Sequence, residues 1–517
     1  MAWTVAAIIM LAYVCVFVWL SPLLQQDYPN HLARAVVIGD LVFHDGSQFG
    51  RDFAYHFLAV PYILGDLVLV ASIELFGVKY GAALSSALTL LSLSFAVLFY
   101  MRAAKVPRDG QILVFMLSMY LATNWFFMMG FFAFSLAIAA TIVCLGLVEL
   151  FRQRSSTGLF VTLIVVLVLA YLIHVTAILF LAAAVGISAV MRLWFRTTSL
   201  KTEALIFLPI AALLAWNAGI ASRNHRPGDL TPAMYDWGTV FEKFQGLAYP
   251  FRRFSLIADG FLLLAFVACI ALAVRHSASR QALARPRVLE MFALTAGFLG
   301  IYVVLPLGYV DAWFVDIRAL PFAIFFFIMG CMLLPDDACA PRRLDRVALP
   351  LAALLVVANL VYLTLHLRND SAWLSQYRAV VAAVPRGSHV LPIFAHTGEG
   401  KLRPALHAGS FIVVDRGGVI PYLFSGDRGN PMKYFRYLHR PYAPYEEWYL
   451  EPVPARVDWV SVACDYDFLL AMKPFDARRI GVSTKTVFEN GTAALLAVAR
   501  QPCEGPLGAG KANAGKA

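Results

Sequence analysis

The stretch Gln25–Gln26–Asp27–Tyr28–Pro29–Asn30–His31–Leu32–Ala33–Arg34 is the most informative in the chain. Asp27, His31 and Arg34 follow one another at intervals of four and three, so on a helix they share one face. Pro29 suits the first turn of such a helix, with Asp27 near its cap. An ionised carboxylate beside an imidazole can accept or orient the proton of a hydroxyl. The same residues also fit a simpler role, an N-cap and an Asp–Arg pair that organise a loop.

A second stretch runs Asp311–Ala312–Trp313–Phe314–Val315–Asp316–Ile317–Arg318–Ala319–Leu320–Pro321–Phe322. Arg318 stands at the edge of an apolar run, where a guanidinium offers bidentate hydrogen bonds to phosphate. It could instead snorkel to headgroups with Asp316 as its partner. Pro321 and the paired acids imply a shaped helix start, which favours the phosphate site. His174 falls between two apolar runs, as a turn residue or as part of a cavity. Asn124, His56 and Asp66 carry the same ambiguity. His44, Asp45 and Asp52 add to the polar inventory, but no spacing specifies a metal. The loop 222–253 interleaves Arg223, His225, Arg226, Lys243, Arg252 and Arg253 with Tyr235, Trp237 and Tyr249. It suits an anionic headgroup or a sugar ring, and equally an interfacial belt.

The elements that must position these residues are set by the solvent. The chain has 517 residues, is 60% hydrophobic and 14% charged, and has a mean hydropathy of +0.71. Soluble domains carry about 25% charged residues, and single cores stop growing beyond roughly 300 residues. Lipid is the natural solvent for the excess. Apolar runs of spanning length occur near 2–20, 81–101, 111–127, 130–151, 157–173, 176–194, 203–221, 254–274, 289–308, 319–335 and 347–366. The run 57–76 carries Pro61, Asp66 and Glu74 and reads as interfacial or re-entrant. The first run has no basic n-region or cleavage site and reads as a retained span.

The formal net charge is +10, from 42 Lys+Arg against 32 Asp+Glu. The cations gather at the ends of apolar runs, which points to topology and not to nucleic acid. If Arg102/Lys105/Arg108, Arg152/Arg154, Arg192/Arg196/Lys201, Arg275/Arg280/Arg285/Arg287 and Arg342/Arg343/Arg346 are cytoplasmic, about eleven spans follow. Segment 21–80, loop 222–253, His174, Arg318 and the C-terminal part then lie on the opposite side.

That C-terminal part reads as a small α/β or α+β domain over 367–503. It has a helix Leu374–Val384, strands His389–Phe394 and Val457–Ala463, and a strand-like stretch Val487–Ala499 around Asn490–Gly491. The tail 504–517 reads as disordered. Cys15, Cys144, Cys269 and Cys331 sit in apolar runs as packing residues. Cys464 and Cys503 could form a disulfide outside the cytoplasm or stay as two thiols. No GxxxxGK[ST], GxGxxG after a strand, HExxH or GxSxG occurs, so no sign of ATP-driven transport, nicotinamide chemistry or peptidase chemistry is present.

One span, then an external loop with an early acid and juxtamembrane helices, resembles the GT-C superfamily of membrane glycosyltransferases. The likeness covers the membrane part (1–366) and the order of parts. Asp27 matches the acidic residue of the first external loop. His56–Phe57–Leu58–Ala59–Val60–Pro61 is similar to the family's His-Pro-Pro-Leu-like helix, with one proline only. Asp-Glu and Asp-x-Asp forms are absent, which sets the chain apart from the mannosyltransferase and oligosaccharyltransferase branches.

The resemblance implies an inverting transfer of a sugar from a polyprenyl-phosphate donor to an acceptor hydroxyl. Asp27 would be the base, with His31 beside it. Arg318, His174 and Arg34 would hold the donor phosphate. His56, Asn124, Asp316, Arg223 and Trp237 would line the acceptor side. No nucleotide or other cofactor is implied, and a divalent metal is left open. The partners would be membrane lipids and a glycan, lipid or protein acceptor, at the periplasmic face of a bacterial inner membrane. A lipid-linked oligosaccharide polymerase or ligase built on loop 222–253, a transporter or flippase, and an envelope scaffold are the competing readings.

Overall fold

The computed structural model describes residues 2–224, 235–275, 280–309, 312–334, 341–394, 402–426, 434–444 and 457–500. The chain enters as α1 (Ala2–Leu20) and turns into α2 (Tyr28–Phe43). After β1 (Phe53–Tyr55) come α3 (Ile63–Ala103), α4 (Arg108–Ala122), the short α5 (Trp125–Met128), α6 (Phe132–Arg154), α7 (Thr157–Ile173), α8 (Val175–Trp194) and α9 (Leu200–Asn224). Then follow β2 (Tyr235–Asp236), α10 (Val240–Gly246), α11 (Leu256–Val274), α12 (Arg280–Leu283) and α13 (Pro286–Val304). A small antiparallel ribbon adds β3 (Gly308–Tyr309) and β4 (Ala312–Trp313) to β2. A 3-10 turn, Asp316–Ala319, leads into α14 (Leu320–Met332), and α15 (Pro341–Val381) leaves the membrane part.

Among the described residues nine helices are long and apolar enough to cross a bilayer: α1, α3, α4 with α5, α6, α8, α9, α11, α13 and α15. The runs 157–173 and 319–335, expected to span, form the shorter helices α7 (17 residues) and α14 (13 residues). α3 is two helices meeting at a corner. Gly77 breaks it with φ 73 and ψ 165. A Cβ on Gly81 would fall 2.7 Å from the Ser72 carbonyl oxygen, whereas a straight helix separates residues nine apart by about 13 Å. Ile63–Phe76 is therefore a body distinct from the span that follows it.

Beyond the membrane part lie β5 (Val390–Ile393), α16 (Phe411–Arg416), β6 (Phe435–Tyr437), α17 (Trp459–Asp465), β7 (Phe468–Met472), β8 (Thr484–Glu489) and β9 (Ala493–Val498). A four-stranded mixed sheet runs in the order β5-β7-β9-β8, with β5 parallel to β7 and the other pairs antiparallel. The hairpin β8–β9 turns at Asn490–Gly491, between the strand-like ends expected on either side of it. Val457–Ala463, expected as a strand, is helical instead. Asp458 caps it, its Oδ1 accepting from the N–H groups of Val460 and Ser461. A cap that satisfies two orphan donors outweighs the β-propensity of two valines. The separate helix expected at Leu374–Val384 is the end of α15. Leu374, Tyr377, Val380, Val381 and Val384 are buried at helical spacing, so the stripe continues past the polar break at Arg368–Asp370. Cys464 is disulfide-bonded; Cys503 and the tail 504–517 lie outside the described residues.

The C-terminal region and the segment between α1 and the bend in α3 share one apolar core. Leu32, Val37, Ile38, Phe49 and Phe53 pack with Phe411, Ile412, Phe435 and Leu469. β1 pairs antiparallel with β6, Phe53 opposite Tyr437, and the Phe53 ring stacks on Phe435 and lies tilted against Tyr437. This shared core carries C-terminal side chains to the start of α2.

Candidate functional site

Asp27 occupies the N-cap position of α2, but its side chain does not cap the helix. Its backbone is pinned from below. The N–H groups of Gln26 and Asp27 donate to the carbonyls of Met128 (3.2 Å) and Met129 (2.9 Å). The turn that supplies those carbonyls ends at Gly130, whose φ is 74. A Cβ there would meet the Tyr28 backbone nitrogen at 2.5 Å, so only glycine allows this approach. Asn124 caps α5 by accepting from the Phe127 N–H. Its Oδ1 thereby serves as a structural cap.

One and two turns along α2, His31 and Arg34 share the Asp27 face. Arg34 is committed elsewhere. Its Nε donates to Asp66 Oδ2 (2.8 Å) and its Nη2 to Asp66 Oδ1 (2.6 Å), and Tyr434 donates to the same carboxylate at 2.6 Å. Arg34 is 1% exposed. Burial alone would lower it, yet Asp66 raises it above its ordinary value. Arg34 is thus a buried partner of Asp66, which fills the guanidinium fork expected for a phosphate. Nη2 also donates to His31 Nδ1 at 3.0 Å. That bond assigns the neutral His31 proton to Nε2. Burial, then the Arg34 and His407 charges, hold His31 well below the ordinary imidazole range.

Across from α2, His174 caps α8. Its Nδ1 accepts from the Thr176 backbone N–H at 3.1 Å, a group that can only donate. The neutral ring therefore carries its proton on Nε2. That atom lies 3.4 Å from Arg318 Nη1, so two donors face one another. Arg318 is buried, with its guanidinium over the rings of Phe131 and Phe134 at 5.2 and 5.4 Å. Its Nη2 reaches the Trp313 carbonyl (3.3 Å), while its buried Nε has no hydrogen-bond partner among the described residues. Burial lowers Arg318 from its ordinary value, opposed by Tyr62 and Asp27. His174 is held well below its ordinary value by burial, Arg318 and His31. Tyr62, at φ 77, sets its ring edge on His174 at 4.5 Å. Asp27, His31, Tyr62, His174 and Arg318 thus form one electrostatic cluster. An oxyanion placed between Arg318 and His174 would accept from both.

Sequence reasoning missed His407. It comes from the C-terminal region, is buried, and sets Nε2 3.6 Å from Asp27 Oδ1. Its only trace is a histidine in the apolar run Ala405–Leu406–His407–Ala408. Burial pushes it down to about 4. Tyr434 was missed likewise.

The other expected residues stand apart. Asp316 is buried and takes Lys243 Nζ at 2.7 Å. Burial raises it and Lys243 opposes the rise. It pairs with Lys243, not Arg318. His56 is exposed, its backbone N–H donating to the Tyr434 carbonyl. Trp237 is exposed and stacks with Tyr235 at 6.4 Å. The Arg223 side chain, His225, Arg226 and Asp311 lie outside what is described. Arg253 donates to the carbonyls of Tyr120 (2.8 Å) and Thr123 (2.5 Å) and to Asn359 Oδ1. Lys243 and Arg253 are thus used internally, which weakens a catalytic role for loop 222–253. Among the described residues no three His, Cys, Asp or Glu side chains converge to hold a metal ion.

No family model matches the chain, and no curated protein does. Solved structures do. ArnT from Cupriavidus metallidurans in the apo state matches at 11% identity with a TM-score of 0.55, covering 97% of this chain and 100% of that one. The same protein bound to undecaprenyl phosphate matches at 12% identity and 0.51, over 95% and 97%. The Archaeoglobus fulgidus oligosaccharyltransferase overlaps more loosely, at 11% identity and 0.45, over 91% and 69%. With its helical membrane part, its small C-terminal sheet and this end-to-end overlap with ArnT, the chain has the GT-C fold expected from its sequence.

Proposed function

We propose that the protein transfers a sugar from a polyprenyl-phosphate donor to an acceptor hydroxyl at the outer face of a bacterial inner membrane. The donor edges of Arg318 and His174 carry this reading. Two buried N–H donors face one another near a carboxylate, as a transferred group with an anionic leaving phosphate requires. That an ArnT structure holds undecaprenyl phosphate supports the same donor class. Asp27 takes the acceptor hydroxyl proton, the acceptor oxygen bonds to the anomeric carbon, and the carbon–oxygen bond to phosphate breaks. The configuration inverts. The polyprenyl phosphate leaves with its charge against Arg318 and the His174 Nε2–H. The acceptor is a glycan, lipid or protein hydroxyl, and no cofactor is needed for these steps.

The test is transfer of radiolabelled sugar from polyprenyl-phosphate donors to envelope lipid and glycan, in membranes with wild type or Asp27→Asn at matched levels. The variant is expected to lose roughly 10²- to 10⁴-fold, the typical worth of a positioned base. Unchanged transfer in the variant would sink the assignment of Asp27.

A further inference from the structure

His407 reaches Asp27 in a fixed protonation geometry. Asn30 cannot be flipped, because its Oδ1 accepts the Phe424 N–H at 2.7 Å and its Nδ2 donates to the Tyr422 carbonyl at 2.7 Å. The second Nδ2 hydrogen faces His407 Nδ1 at 3.5 Å. The lone pair therefore lies on Nδ1 and the proton on Nε2, the atom turned to Asp27 Oδ1. The separation of 3.6 Å exceeds hydrogen-bond length. The apposition is held by its surroundings: Asn30, the Phe424 ring at 5.1 Å, and the 3-10 turn Ala408–Ser410 that follows. Gln26 Oε1 accepts the Arg403 N–H at 2.8 Å and ties the same segment to the residue before Asp27.

We infer that His407 is a positioning residue for Asp27, supplied by the C-terminal region. This role rests on the transferase reading above. The Nε2–H dipole, turned to Oδ1 at 3.6 Å, favours the ionised carboxylate. The ring stays neutral near pH 7, so it orients the base and does not replace it. Arg318, from the turn before α14, acts on the same carboxylate. The titratable and charged groups on the surrounding elements are His31 and Arg34 of α2, Tyr62 and Asp66 at the start of α3, His174 at the head of α8, and Arg403, Tyr422 and Tyr434 of the C-terminal region. Arg34 and Asp66 neutralise each other, and both α2-facing imidazoles are held neutral. Arg318 and His407 both favour charge on Asp27.

The experiment is the pH profile of kcat/KM for sugar transfer in wild type, His407→Ala and His407→Gln, with Asp27→Asn alongside. Removing an N–H that favours the carboxylate raises the pH at which Asp27 ionises. The acid limb of H407A is therefore expected at higher pH by about one unit, with transfer on the alkaline plateau reduced less than by loss of the base itself. The KM for the donor is expected to stay unchanged. H407Q, whose amide presents an N–H at similar reach, should return the limb most of the way. If H407A does not accumulate, H407Q against His407→Phe reads the same limb. A limb that does not move, or a glutamine that behaves like alanine, reduces His407 to packing while the base assignment survives. Full transfer by D27N removes the base assignment and this role with it.

Discussion

The guanidinium of Arg34 meets the carboxylate of Asp66 edge to edge, Nε to Oδ2 at 2.8 Å and Nη2 to Oδ1 at 2.6 Å, with both side chains out of contact with solvent. Removing one partner of a buried pair leaves an uncompensated charge, at a cost of about 3–5 kcal/mol. Asp66→Ala is therefore expected to lower the thermal midpoint in detergent sharply. The double variant R34M/D66L removes both charges and should be less destabilised than D66A. Equal midpoints for the two would show that the pair does not act as a buried ion pair.

Arg318 is expected to act on the phosphate and not on folding. A hydrogen bond to a charged group contributes about 1.5–3 kcal/mol, so Arg318→Ala should weaken binding of labelled polyprenyl phosphate roughly 10- to 150-fold. Arg318→Lys should recover little, because an ammonium lacks the planar fork. Unaltered binding in R318A would remove the guanidinium from the donor site.

Mild acid should loosen the region around Asp27. His407 lies at about 4 against an ordinary value of 6.5, and burial also lowers His31 and His174. The unfolded chain takes up these protons first. The stability is thus present above pH 6.5 and is lost as pH falls from there towards 4. His407 alone is worth about 3 kcal/mol over that window. Thermal midpoints measured from pH 7 to pH 4.5 should fall less steeply for His407→Gln than for wild type. Parallel slopes would contradict a buried neutral ring.

Gly130 should be intolerant of a side chain although it touches no substrate group. Gly130→Ala combines a left-handed backbone, costing about 1–3 kcal/mol, with a clash against the Tyr28 nitrogen. Relief of that clash moves the peptide that carries Asp27. Transfer should fall further than the amount of folded protein, read as activity per folded molecule. An unchanged ratio would mean that this close approach does not set the position of Asp27.

The membrane part was legible because length and apolarity are local properties. α1 and α8 begin or end within a residue of the expected runs. The Asp27–His31–Arg34 face was legible for the same reason, since helical spacing is written in ten residues. What those side chains touch was not. Asp66, His407 and Tyr434 reach α2 through packing between distant segments, and no spacing rule reports such contacts. The sequence therefore left Arg34 open to phosphate, although its fork is filled by Asp66. It also counted Asn124 and Asp316 as site residues, because a polar side chain at a helix end looks alike whether it meets substrate or its own backbone. β7 escaped because Phe468–Met472 is a short continuous apolar run, which periodicity cannot assign.

α15 has 41 residues, a length of about 60 Å against a hydrocarbon layer of about 30 Å. Roughly half of it stands clear of lipid, and its far end is built into the core that holds α2 and α16. A mismatch between a span and its bilayer is taken up by tilt, and the helix beyond its internal Pro350 carries that tilt outward. A change of tilt is therefore expected to shift the C-terminal region relative to Asp27. Transfer measured in vesicles of graded lipid thickness should pass through an optimum, and a Gly-Gly insertion after Asp370 should flatten it. A rate indifferent to thickness in the intact protein would show that the helix and the C-terminal region are not coupled.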